Sequence, residues 1–135
     1  MSRKLYVNLP VKDLDASVAF FTALGFTFDA NFTDENATCM IVNEHTAVML
    51  LVEKRFSDFI STDISDATAS TEVILAFSAD SREEVDRLVR TALDNGGTRS
   101  QEPMDHGFMY AWSFADVDGH LWEVMWMDMS QLPQG

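Results

Sequence analysis

The chain is short of several things at once. It has one cysteine, Cys39, so no disulfide can form within it, and a packed core must hold the fold. Cys39 lies in a predicted strand, Ala37 to Val42, without basic neighbours to activate a thiol, and reads as a small buried hydrophobe. Bases are scarce: 9 against 22 acids, a net charge of −13. That balance repels nucleic-acid phosphates and anionic membranes and modestly favours cationic ligands. Long apolar runs are missing, since the longest, Ala47 to Val52, is far too short to span a bilayer. No apolar signal segment follows Met1-Ser2-Arg3-Lys4, so a cytoplasmic location is expected.

Familiar chemical motifs are lacking too. His45, His106 and His120 have no metal-ligand spacing. Asn95-Gly96-Gly97 follows a helical pattern and reads as its C-cap, not as a phosphate loop. No Ser-His-Asp or Cys-His arrangement has a defensible spacing. The run Arg82-Glu83-Glu84 with Asp86-Arg87 reads as a solvated helix face.

What is present is a repeat. Apolar residues make up 47% of 135 positions, enough for a globular core. Leu5, Val7 and Leu9 alternate with Tyr6 and Asn8, as in a half-buried strand. Asp13 or Asp15 then caps a helix carrying Val18, Phe20, Phe21 and Leu24, which Gly25 ends. Strands follow near Thr27–Thr33, Ala37–Val42 and Thr46–Val52. After a polar linker with a possible short helix at Phe56–Ile60, the order recurs. Val73, Leu75 and Phe77 alternate; Ser81 caps a helix bearing Val85, Leu88, Val89 and Leu93; strands follow near Thr98–Pro103, Met109–Ala115 and His120–Met127. The expectation is a single α+β domain over residues 1–135, built from two βαβββ repeats. The repeats cover about residues 4–53 and 71–128, with a linker at about 54–70. Paired, they would form a curved mixed sheet around a cleft, with helices outside. Parity puts Leu5, Val7, Leu9, Val73, Leu75 and Phe77 under the helices. It turns Tyr6, Asn8, Ile74, Ala76, Ala47, Met49 and Leu51 toward the cleft.

The last strand carries the most telling residue. Asp116-Val117-Asp118-Gly119 makes a turn, and the strand after it alternates. His120, Trp122, Val124 and Trp126 share one face; Leu121, Glu123 and Met125 share the other. A carboxylate on that apolar face needs water, a cation, a metal or a proton. Glu123 therefore stands as the candidate catalytic residue, or the polar anchor of a ligand. Around it, Tyr6, Asn8, Met49, Ile74, His106, Tyr110 and Trp112 are candidate ligand-binding residues. His106 sits in a loop placed to reach a cleft mouth, whereas His120 reads as a core-edge or surface residue and His45 as solvated. Tyr110, Trp112 and Phe114 alternate along one strand, consistent with core packing or with an aromatic pocket wall.

Together, Leu9-Pro10-Val11-Lys12-Asp13-Leu14 before the first helix, Leu24-Gly25-Phe26 after it, Asn95-Gly96-Gly97 after the second, and Asp116 through Glu123 at the end resemble the vicinal oxygen chelate superfamily. That group includes glyoxalase I, extradiol dioxygenases, fosfomycin resistance enzymes and bleomycin resistance proteins. The resemblance covers essentially the whole chain and lies nearest to small bacterial proteins described as predicted lactoylglutathione lyases. It implies a metal held by one residue from each of four strands, at positions matching Tyr6, Met49, Ile74 and Glu123. Only Glu123 has ligand chemistry: Ile74 and Met49 cannot hold a hard divalent cation, and tyrosine seldom does. No metal and no other cofactor are therefore expected. The resemblance, with the high apolar content, also implies a homodimer; the acidic charge argues against a nucleic-acid or membrane partner. The function expected is metal-free binding of an aromatic or cationic small molecule. The alternatives are a glyoxalase-like lyase or dioxygenase using Glu123 as metal ligand or general base, and a dimeric domain whose cleft contacts another protein.

Overall fold

The computed structural model describes residues 3–131, an α+β chain that divides into two compact units, Met1–Asp66 and Ala67–Gly135. The first runs β1 (Leu5–Val11), α1 (Leu14–Ala23), β2 (Thr27–Asp29), β3 (Ala37–Asn43), β4 (Thr46–Val52) and α2 (Glu53–Ser57). The second runs β5 (Ile74–Ser78), α3 (Arg82–Asp94), β6 (Thr98–Arg99), β7 (Met104–Asp105), β8 (Met109–Ala115) and β9 (Leu121–Met127). The single curved sheet expected above resolves into two hydrogen-bonded sheets, one per unit. Their orders are β1-β4-β3-β2 and β5-β9-β8-β6, with β7 pairing β8 as well. In each, the first strand lies parallel to the last and the other pairs are antiparallel.

Local chemistry sets the helix starts. The Asp13 carboxylate accepts the Ala16 N–H at 3.1 Å, and Ser81 Oγ accepts the Glu84 N–H at 3.1 Å, each satisfying a donor the helix itself cannot. Phe20 and Phe21 of α1 close the first core with Val11, Met40 and Leu50. Val85, Leu88 and Val89 of α3 close the second with Phe114, Trp122 and Val124.

The alternation holds, with corrections at its ends. Leu9 and Val11 are buried while Tyr6 and Asn8 are exposed, as parity demands. Leu5, expected under α1, is 60% exposed. Ten helical residues rise roughly 15 Å whereas seven strand residues span roughly 23 Å, so α1 runs out before the strand's beginning. Val73 precedes β5 and is also exposed. Ala47 and Leu51, turned toward the open face by parity, are nonetheless buried, flanked by their strand neighbours (Tyr6 and Ile41; Pro10 and Ala37). β2 ends at Asp29 rather than Thr33. The Asp29 carboxylate accepts the Asn31 N–H at 2.9 Å and its carbonyl accepts the Thr33 hydroxyl at 2.8 Å, which starts a 3-10 turn over Ala30–Phe32. The short helix begins at Glu53, directly after β4, instead of at Phe56.

The turn into β9 is built on one buried acid. Asp116 accepts the N–H groups of Asp118 (2.9 Å) and His120 (3.0 Å) and the Trp122 indole N–H (2.9 Å). Burial pushes its carboxyl above the ordinary range, opposed by His120 and by these hydrogen bonds. Gly119 follows at φ +89°, where an added Cβ would sit 2.9 Å from Thr68 Cγ2 and 3.2 Å from the Thr68 backbone nitrogen. Among the described residues no helix is long and apolar enough to cross a membrane.

Candidate functional site

The open face of the second sheet centres on Glu123. Its register partners are Ala76 on β5 and Ser113 on β8, so two small side chains flank it. Next along the same face come Leu121 beside Ile74 and Met125 beside Ala111. A pocket of about 330 Å³ opens there, with Ile74, Leu121, Ala111, Ser113 and Glu123 at its base and residues 100–104 as its wall. Ligand pockets run roughly 300–1,000 Å³, so this one suits a small molecule.

Glu123 is half-buried, and among the described residues its carboxylate has no hydrogen-bond or ion-pair partner. A second acid, Glu102, stands in the wall and is loosely paired with Arg99 at 3.8 Å, both side chains well exposed. Among the described residues no lysine, arginine or histidine lines the pocket. The site can therefore accept hydrogen bonds and positive charge on an otherwise largely apolar surface.

Of the residues singled out in the sequence, Ile74 and Glu123 come together in this pocket. Tyr110 does not join them. It pairs with Trp126 in the register, on the sheet face away from Glu123, and its hydroxyl donates to Asp86 Oδ1 of α3 at 2.6 Å. That contact and burial push the phenol up to about 12, burial being the larger cause. Trp112 pairs with Val124 on that same far face; its indole N–H donates to the Gln101 carbonyl at 3.1 Å, and the residue only borders the pocket. His106 is exposed in the turn between β7 and β8, where its N–H donates to the Met109 carbonyl at 2.8 Å, and it is not part of the lining. Tyr6, Asn8 and Met49 belong to the first unit, where Asn8 is the register partner of Met49 and Tyr6 of Ala47. Lys4 Nζ lies 5.1 Å from the Tyr6 ring centre. Cys39, also beside Met49, is buried, and burial pushes its thiol up.

Sequence reasoning passed over Ser113, Glu102 and Arg82. Alternation alone would have found Ser113, since Ala111, Ser113 and Ala115 are the small residues of β8. Arg82 stays partly solvated but is no free charge. Its guanidinium grips Asp105 through two bonds of 2.7 and 2.9 Å, donates to the Gly107 carbonyl at 2.8 Å, and lies 5.2 Å from the ring centres of both Tyr110 and Trp126. These hydrogen bonds, with the Gly107 N–H, hold the Asp105 carboxyl down to about 2.

Tyr6, Met49, Ile74 and Glu123, the positions matching a four-ligand site, offer one carboxylate, one phenol, a thioether and an alkyl group. Among the described residues no group of three or more His, Cys, Asp or Glu side chains converges. The donors do not fit a divalent metal.

βαβββ units, each with its first and last strands parallel, and a carboxylate on the open face of the final strand define a glyoxalase-like α+β protein. The family model described as Glyoxalase/Bleomycin resistance protein/Dioxygenase superfamily matches residues 4–124, and the chain belongs to that family. Hypothetical protein SA1046 from S. aureus is similar at 30% identity and TM-score 0.78, over 93% of this chain and 94% of that one. A glyoxalase-related enzyme from Fulvimarina pelagi has TM-score 0.80 at 18% identity, over 100% of this chain and 94% of that one. The genomically encoded fosfomycin resistance protein FosX from Listeria monocytogenes has TM-score 0.67 at 19% identity, over 93% of each chain. The last two speak for the fold alone. No curated protein matches the chain.

Proposed function

We propose that this chain binds a small cationic or aromatic molecule in the pocket of its second unit, without a metal, and that Glu123 is the polar anchor. The observation that carries this reading is the half-buried Glu123 carboxylate, unpartnered in a pocket without a basic side chain. Such a group must recover hydration or meet a cation, and a ligand that brings positive charge onto the Ile74–Leu121 surface supplies both attraction and apolar contact. The acidic surface, with a net charge of −13, raises the local concentration of such ligands.

Phenyltrimethylammonium and its uncharged isostere tert-butylbenzene test the reading by NMR titration. The cation should bind more tightly than the isostere, and Glu123→Gln should weaken it about ten-fold, the scale of a partly screened charge pair. Equal binding of the two probes, or undiminished cation binding by the variant, would remove Glu123 from its role. In this reading the protein works as a homodimer.

A further inference from the structure

The wall of the pocket is a break in an edge strand. β6 pairs Arg99 with Phe114, and an unbroken register would bring Glu102 opposite Ala111. Met104 stands there instead, two residues later. Pro103, lacking an N–H, cannot contribute a donor to the ladder just before β7. Neither β6 nor β7 pairs with Trp112 or Ser113. Side chains from those two residues take over instead. Ser113 Oγ accepts the Gln101 N–H at 3.3 Å, and the Trp112 indole N–H donates to the Gln101 carbonyl at 3.1 Å. Both backbone groups of Gln101 are thus held, one by a side chain from the Glu123 face of β8 and one by a side chain from the other face. The far end is tied as well, because Arg82 grips Asp105, the residue after Met104.

We infer that residues Ser100–Met104 form the size-selecting wall of this pocket, and that Ser113 and Trp112 are the positioning residues that set its distance from Glu123. The inference concerns selectivity at the site proposed above and rests on that reading for its ligand. The extra residues push the strand outward, which makes room beside Glu123, while the two grips on Gln101 keep that room from widening. Wall position, more than charge, then decides how bulky a cation the pocket admits.

The test uses the full chain, two probes of equal charge and unequal bulk (phenyltrimethylammonium and phenyltriethylammonium), and amide hydrogen exchange. The parent should prefer the smaller probe. Ser113→Ala should speed exchange of the Gln101 amide about five-fold, the scale of one net hydrogen bond; Trp112→Phe, which frees the Gln101 carbonyl and loosens the segment, should speed it less. Both variants should bring the ratio of the two affinities toward one, and Ser113→Thr, which keeps an acceptor oxygen, should restore exchange and ratio. Unchanged Gln101 exchange in both variants overturns the inference. So does faster exchange with an unchanged ratio, or a parent that binds neither probe. Probe binding that survives Glu123→Gln, with a ratio still sensitive to Ser113 and Trp112, removes the anchor and leaves the wall standing.

Discussion

The two units share an order of elements and differ in what their last strands face. β4 is buried on both sides, with Ala47 and Leu51 as hidden as Val48 and Leu50. β9 is buried on one side only: Trp122 and Val124 lie under α3, while Glu123 opens onto a pocket. Their outer strands differ in step. In the first unit the strand stops at Asp29 in a 3-10 turn; in the second it breaks after Arg99 and resumes at Met104. The difference teaches that a shared order of elements does not by itself fix a pocket: one open face is covered and the other stays open beside a broken edge strand.

The sharpest test of this comparison lies in the cores, which should be equally demanding although the open faces are not. Phe21→Ala in α1 and Phe114→Ala in β8 each empty a site where the ring is at most 1% exposed. Each should cost about 3–5 kcal/mol in urea denaturation. A far smaller loss for Phe21→Ala would show that the first unit is the looser one and break the symmetry drawn here.

A smaller effect separates two acids of the second unit by pH. Arg82 holds Asp105 to about 2, below its ordinary 3.8, so the unfolded chain binds more protons between those values. Its stabilising contribution is full above the ordinary value and disappears as pH falls through about 2. Asp116 has the opposite sign. Its folded carboxyl keeps a proton longer than the unfolded chain does, so stability falls as pH rises from 3.8 through its raised value. Urea midpoints followed from about pH 2 to 6 should show a shallower acid loss in Asp105→Asn and a steeper rise with pH in Asp116→Asn.

The smallest effect concerns assembly. Phe32 and Phe59 of the first unit are 61% and 65% exposed, more than Met104 of the second at 49%. Light scattering at micromolar concentration should return the mass of a homodimer; a monomer would show that these rings do not join two copies of the chain.

Much of this was legible in the sequence where the signal is local. The alternation around Glu123, the caps at Asp13 and Ser81, and the repeat itself follow from spacing and residue type. What escaped depends on partners far along the chain. Arg82 and Asp105 are separated by 23 positions, and nothing near Arg82 marks it as other than a surface charge. The break between β6 and β7 is likewise bridged by Ser113 and Trp112, more than ten residues on. Tyr110 was placed with the site because aromatic residues suit pockets, yet the β8–β9 register sends it to the helix side. Parity within β8, referred to Glu123, would have prevented that.

Gly119 carries a consequence of a different kind. Its positive φ strains most side chains, and a methyl group there would crowd Thr68 and Ala67. Suppose Thr68 were trimmed to alanine: the contact with Cγ2 would vanish, but the Thr68 nitrogen at 3.2 Å and the Ala67 carbonyl carbon at 3.3 Å belong to the main chain and would stay. Trimming a neighbouring side chain therefore relieves only part of the crowding, and the main chain would still have to give by a few tenths of an ångström. The turn that leads into Glu123's strand is thus crowded by main chain as well as by a side chain, four residues before the carboxylate.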